Sequence, residues 1–209
     1  MLLQENRLVI FLRYPAVGRV KTRLIPSLGT EGAALLYRRL AEHMIKRTDV
    51  LKDEMHIEFR CDGAPAELFR QWLGERPCLA EQGDGSLGER MSRTFADHFA
   101  DKAKSVVLIG TDCPDISVQQ LQATVQSLEN HDLVLGPAYD GGYYLIGLSS
   151  NRPELFTGIN WGESSVLKKT LAVAEAQGLR TNLLDTLFDI DRPEDLQHCI
   201  RLGLLDKES

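Results

Sequence analysis

No stretch of this 209-residue chain approaches the ~20 consecutive apolar residues that a membrane-crossing helix needs. Residues 1–7 hold no basic segment followed by a long apolar run, so no signal peptide is expected and the chain is expected in the cytoplasm. Cysteine is scarce. The four, Cys61, Cys78, Cys113 and Cys199, form no C-x-x-C pair, which argues against a zinc site or a thioredoxin-like dithiol and for free thiols in a reducing compartment. Positive charge is also short, 24 basic against 30 acidic side chains for a net charge of -6. A general nucleic-acid binder would show a basic excess, so no nucleic-acid partner is expected, although a local basic pocket remains possible for one phosphorylated ligand. There is no G-x-S-x-G elbow of a serine hydrolase, no repeat, no low-complexity segment and no linker, so residues 1–209 read as one domain.

What is present alternates between strand and helix patterns. Leu8–Leu12 is a continuous apolar run of the kind buried in parallel sheets. A loop is predicted from Arg13 to Gly29, then a helix from a Thr30 cap to Arg47, with Leu36, Leu40 and Met44 on one face. Strands are predicted over His56–Cys61, Pro77–Ala80, Ser105–Gly110, Asp132–Gly136, Tyr143–Leu148 and Arg180–Leu184. Helices are predicted over Ala66–Leu73, from Ser86 through Phe99, from Ser117 to Leu128, over Ser164–Gln177 before a Gly178 cap, and from Asp191 onward. Ser86 with Glu89, and Ser117 with Gln120, have capping-box spacing. This order implies a three-layer α/β/α sandwich on a mostly parallel, mixed sheet, with an antiparallel pair either side of Asp140-Gly141-Gly142.

Ligands of such sheets gather at the carboxyl ends of the strands, and the unusual residues of this chain sit there. After the first strand, Arg13, Arg19, Lys21 and Arg23 flank Gly18, a set of cations and free backbone N–H groups suited to phosphate. A solvated basic loop is the competing reading, with Arg19 the most solvent-facing. Arg13 stands where a P-loop requires its first glycine, so no ATPase is expected. Asp112, just past the Ser105–Gly110 strand, can bind Mg²⁺ or Mn²⁺, while Asp115 reads as support for the Ser117 helix. In Tyr139-Asp140-Gly141-Gly142-Tyr143-Tyr144 the glycines permit close approach of a ligand or a plain hairpin turn, and at most one of the two tyrosines faces a ligand. Asp189 and Asp191 could share a strand face and a cation, although Asp191 is also placed to cap the last helix. Gly85, in the Gly-rich turn 82–90, could receive an anion at a helix start. Trp161 could present its ring to an acceptor, and Ser164 reads as a helix cap.

Five segments together, 15–24, 82–91, 109–114, 136–144 and 189–196, give the chain its likeness. It resembles a bacterial family of the GT-A nucleotide-diphospho-sugar transferase superfamily whose members are labelled glycosyltransferases of an arsenosugar-biosynthesis type. The superfamily also holds nucleotidyltransferases, and Lys21-Thr22-Arg23-Leu24 is similar to their first loop. The resemblance implies a nucleotide in the first half of the sheet and a divalent cation at Asp112, although Thr111-Asp112-Cys113-Pro114 stands where many members have D-x-D. The leading expectation is a transferase taking a nucleotide sugar and a small-molecule acceptor. Asp112 and Asp140 are then the catalytic carboxylates, Arg13, Gly18, Lys21, Arg23, Gly85 and Gly141 the nucleotide-binding residues, and Asp112, Asp189 and Asp191 the metal ligands. The alternatives are nucleotidyl transfer from a nucleoside triphosphate and a non-catalytic nucleotide-binding protein.

Overall fold

Leu8, Ile10 and Leu12 are fully buried on one face of strand β1 (Asn6–Arg13), and Val9 on the other, which is what a strand covered by helices on both sides requires. The computed structural model describes residues 5–74 and 78–206. Residue 77, where the sequence pattern starts the third strand, lies outside them. Seven strands form one sheet in the order β3-β2-β1-β4-β6-β5-β7. The others are β2 (His56–Asp62), β3 (Leu79–Glu81), β4 (Ser105–Ile109), β5 (Leu133–Pro137), β6 (Tyr143–Leu148) and β7 (Thr181–Leu183). All pairings are parallel except those of β6, which runs against both β4 and β5.

Helices α1 (Ile25–Thr48), α2 (Ala66–Leu73) and α4 (Val118–Ser127) cover one face, where Met44, Phe69 and Leu121 pack on the β1 and β4 side chains. Helices α3 (Leu87–Ala100) and α5 (Val166–Ala176) cover the other, where Met91, Phe95 and Ala174 meet Val106, Leu108 and Ile146. The short helix α6 (Leu196–Arg201) lies outside α1. The three-layer, mixed and mostly parallel sandwich expected from the element order is therefore the fold. Both predicted capping boxes form, at Ser86–Glu89 and Ser117–Gln120. No helix among the described residues is long and apolar enough to cross a membrane.

Three local expectations fail. A helical turn at 25–28 precedes the break at Gly29 (φ 71°), so the long first loop is shorter than its glycine and proline punctuation implies. Ser164 is not a cap, because α5 starts at Val166 with no side-chain cap bond. Asp191 is not a cap: the Asp195 carboxylate closes the 3-10 turn Pro193–Asp195 that leads into the last helix, its Oδ2 accepting from the Asp191 and Arg192 amides, and the helix itself has no side-chain cap.

The α3-facing side of β2 carries buried charge. The Arg60 guanidinium lies 2.5 Å from Glu58 and 2.8 Å from Asp97, and His98 Nε2 lies 3.2 Å from Glu58. Burial alone would raise the Glu58 carboxyl. Hydrogen bonds from His98 and Arg60, with their charges, outweigh it and hold Glu58 down at about 2, against an ordinary 4.5. A depressed carboxyl contributes stability that is full above the unfolded value and lost as pH falls through the folded one. Unfolding free energy is therefore expected to drop between about pH 4.5 and 2. Glu58→Gln should flatten that slope and cost roughly 1.5–3 kcal/mol at pH 7. Denaturant titrations across pH 2–7 check both. A variant with the parent's stability and acid slope would remove Glu58 from this role.

Candidate active site at the strand ends

Since β1, β2, β4 and β5 point the same way, their carboxyl ends share one edge of the sheet with the start of β6. A cleft of about 680 Å³ opens there. Its lining includes Arg13, Lys21, Arg23, Asp112, Asp140, Asp189 and Asp191, so seven of the ten residues given catalytic, nucleotide-binding or metal roles from sequence come together. Gly18, Gly85 and Gly141 do not line it. Gly18 (φ 72°) serves an exposed turn, and Gly85 (φ 105°) lies beside the Glu89 side chain on a separate groove with Ser86 and Trp161.

The first loop is stitched to the 189–191 segment. Ile190 N–H donates to the Asp112 carbonyl at 2.9 Å, and the Cys113 thiol to the Phe188 carbonyl at 2.9 Å, which docks this segment on the end of β4. Lys21, a non-glycine residue in the left-handed region (φ 47°, ψ 43°), extends beneath it. Its Nζ donates to the Ile190 carbonyl and stands 2.8 Å from Asp112 Oδ1, with the lysine side chain only 5% exposed. That ion pair lies outside hydrogen-bond angles, so Oδ1 is buried with no donor aligned on it. Arg23 pairs with the Asp191 carboxylate. Residues 189–191 form no strand, and the two aspartates diverge. Asp191 turns to Arg23. The Asp189 carboxyl is raised above the ordinary range by burial and then by the charge of Asp140, with Asp112 adding to them against the opposing charge of Lys21.

Asp140 lies in the β5–β6 turn, where Oδ1 accepts from the Gly142 amide at 2.7 Å. The hairpin reading and the site reading both hold here, because the residue makes the turn and lines the cleft. Gly141 has a different task. A Cβ on it would meet the Ser164 carbonyl oxygen at 2.1 Å, and its own carbonyl accepts from Leu167 N–H at 2.9 Å. The glycine admits the 163–167 segment, which brings Trp161 and Glu163 to the cleft wall.

The opposite wall contains residues that composition and motif reading passed over. Gln82 is buried and its Nε2 donates to the Arg60 and Leu12 carbonyls (2.9 and 3.3 Å), bridging the ends of β2 and β1. Its Oε1 accepts from Arg90 Nη1 at 2.8 Å, and the same nitrogen reaches Asp62 Oδ2 at 3.2 Å. Arg13 Nε lies 3.7 Å from that oxygen, so one carboxylate holds two cations at the cleft wall. Tyr37 OH accepts from the Arg13 amide at 2.8 Å and fixes the last residue of β1, where the loop leaves the sheet. Burial, followed by the charge of Asp112, raises its hydroxyl above the ordinary tyrosine range. Gln82 and Arg90 lie in the Gly-rich segment whose only assigned residue was Gly85. Their polar side chains bracketing the turn were the available signal. Asp115 pairs with His198 Nε2 at 2.6 Å instead of supporting α4.

Among the described residues, no three His, Cys, Asp or Glu side chains stand as a preformed metal cage. The donor chemistry nevertheless suits a hard divalent cation. Asp112 has a buried carboxylate oxygen with no hydrogen-bond donor, and Asp189 and Asp140 line the same cleft, near enough for their charges to be felt by one another.

Over 199 residues, 91% of this chain and 81% of the other, the chain is 26% identical to the 2-phospho-L-lactate guanylyltransferase of Methanocaldococcus jannaschii. A candidate nucleotide-diphospho-sugar transferase from Desulfovibrio desulfuricans G20 superposes with a TM-score of 0.90 at 34% identity, covering 97% of this chain and 89% of that one. Two remoter structures share the fold alone. One is a CMP:2-keto-3-deoxy-manno-octonic acid synthetase complexed with CTP (TM-score 0.60, 11% identity, 95% and 98% covered). The other is a Mycobacterium tuberculosis H37Rv protein complexed with manganese (0.52, 16%, 94% and 97%). The family described as "Uncharacterized protein conserved in bacteria (DUF2064)" matches residues 48–163, more than half of the chain, and this protein belongs to it.

Proposed function

We propose that the cleft transfers a nucleotidyl group from a nucleoside triphosphate to an anionic small-molecule acceptor and releases pyrophosphate. The observation that carries this reading is the cation set on both walls. Lys21 and Arg23 stand on one, Arg13 and Arg90 on the other, each against a carboxylate that positions it. Two separately placed pairs of cations suit a triphosphate and a second anionic reactant better than one diphosphate-linked sugar. Similarity along 91% of the chain to a guanylyltransferase supports the same choice. Both arguments favour nucleotidyl transfer, the alternative raised from sequence, over the nucleotide-sugar glycosyl transfer that was the leading expectation.

An acceptor oxygen forms a bond to the α-phosphorus while the bond to the bridging α–β oxygen breaks, and its electron pair leaves with pyrophosphate. Lys21 and Arg23 neutralise the phosphates, and Arg13 and Arg90 hold the acceptor's anionic group in line for attack. A divalent cation held by Asp112 and Asp189, Mg²⁺ or Mn²⁺, supplies further neutralisation when bound. Asp140, its Oδ1 tied to the turn, presents its second oxygen to the acceptor. Charge-assisted hydrogen bonds contribute roughly 1.5–3 kcal/mol each, so Arg23→Ala and Arg13→Ala should each weaken their ligand about tenfold or more. The nucleotide constant should move in the first and the acceptor's KM in the second.

The reaction is tested by its products. The protein is incubated with each nucleoside triphosphate, or with nucleotide sugars, plus Mg²⁺ and extract-derived small molecules. Acceptor-dependent pyrophosphate is the expected result. A nucleoside diphosphate released from a sugar donor, with no pyrophosphate, would restore the glycosyl reading. Binding without turnover of any donor would leave a nucleotide-binding protein.

A further inference from the structure

We propose that Lys21 is a built-in counterion that occupies the cation position beside Asp112 until a polyphosphate draws it away, so that metal and nucleotide each strengthen the other's binding. The inference rests on the proposed reaction for the identity of the two ligands, and on the geometry of Lys21 for the coupling between them. The Lys21 ammonium is buried at the end of β4, 2.8 Å from the otherwise donorless Asp112 Oδ1 and bonded to the Ile190 carbonyl. Its backbone adopts a left-handed conformation that side chains other than glycine's rarely take. That conformation opens a tight turn, closed by Leu24 N–H on the Lys21 carbonyl at 2.9 Å, and the turn aims the side chain inward. Beside it, Arg23 and Asp191 neutralise each other in the same fashion. The cations suited to phosphate and the carboxylates suited to metal are therefore each other's partners.

Two consequences follow from charge alone. A divalent cation approaching Asp112 meets an ammonium already seated on the same oxygen, and the two repel. A nucleotide that draws Lys21 and Arg23 onto its phosphates strips the cation from Asp112, beside Asp189 and Asp140, and leaves Asp191 without its partner. Each ligand removes the obstacle to the other, so each must raise the other's affinity by the same factor.

The full chain is titrated calorimetrically with Mn²⁺ alone, and with Mn²⁺ in the presence of GTP or CTP. Mn²⁺ affinity is expected to rise at least tenfold with a nucleotide. Lys21→Met should bind Mn²⁺ alone at least tenfold more tightly than the parent, and the nucleotide with Mn²⁺ at least tenfold more weakly. Lys21→Arg, which keeps the charge, should bind Mn²⁺ alone as weakly as the parent. Circular dichroism checks that the variants fold. If Lys21→Met gains no Mn²⁺ affinity, Lys21 is not the counterion. If the parent binds Mn²⁺ equally with and without a nucleotide it demonstrably binds, the coupling is absent, and this measurement needs no variant. A parent that binds none of the four nucleoside triphosphates, with or without Mn²⁺, overturns the proposed reaction instead, and the Mn²⁺-alone comparison still decides the counterion.

Discussion

Asp112→Asn is expected to abolish Mn²⁺-supported nucleotide binding and to lower turnover roughly 10²–10³-fold, about 3–4 kcal/mol of transition-state stabilisation. The substitution keeps the shape of the side chain and removes its charge. Asp112 is half exposed to the cleft on one side and buried against Lys21 on the other, so it touches both the internal cation and the ligand space. The Lys21 ammonium keeps its hydrogen bond to the Ile190 carbonyl, the asparagine amide oxygen still turns a partial negative charge toward it, and the backbone carbonyl of residue 112 still anchors Ile190. The melting temperature should therefore stay within a few degrees of the parent. The variant is assayed for pyrophosphate release and for calorimetric binding with and without Mn²⁺. Turnover within a few-fold of the parent would take Asp112 out of the mechanism.

Gly141→Ala is expected to destabilise the protein by on the order of 3–5 kcal/mol, in the range of the severe mechanisms of backbone strain and broken packing. Two costs combine at this residue. Its φ of 89° is strained for any side chain, and the added methyl would stand 2.1 Å from the Ser164 carbonyl oxygen, a backbone atom that no rotamer change can move. Relief requires the 163–167 segment to retreat, which breaks the Leu167–Gly141 hydrogen bond and withdraws Trp161 and Glu163 from the cleft. Gly18→Ala is the control. Its φ of 72° carries a similar conformational penalty, but its methyl meets nothing within 4 Å, so about 1 kcal/mol is expected. Chemical denaturation of both variants separates strain from collision. Equal costs at the two positions would remove the close-approach argument for Gly141.

Both glycines were read from sequence as nucleotide-binding residues, and the structure gives each a backbone task away from the cleft. A glycine in a turn has the same sequence signature whether a ligand or another stretch of the chain comes close to it. Asp191 shows the same ambiguity. Its position before Arg192-Pro193 suggests a cap, yet Asp195 reaches back to the Asp191 and Arg192 amides, and the Asp191 carboxylate is left for Arg23. Gln82 and Arg90 were missed for a related reason. They lie inside a Gly-rich segment, and nothing local marks the Leu12 and Arg60 carbonyls that fix Gln82 in place.

The sequence by itself determined the order of strands and helices, the two capping boxes, the antiparallel pair around Asp140 and the gathering of Arg13, Lys21, Arg23, Asp112, Asp140 and Asp189 at one edge of the sheet. These depend on side-chain periodicity and on contacts three or four residues apart, together with the rule that parallel strands end on the same side. Only the tertiary structure decided which charges neutralise which. Arg23 and Asp191 are 168 positions apart, and Lys21 meets Asp112 only because the 189–191 segment docks on the end of β4 and closes over its ammonium. The partner of a buried charge is set by how distant segments pack, and neither composition nor spacing carries that information.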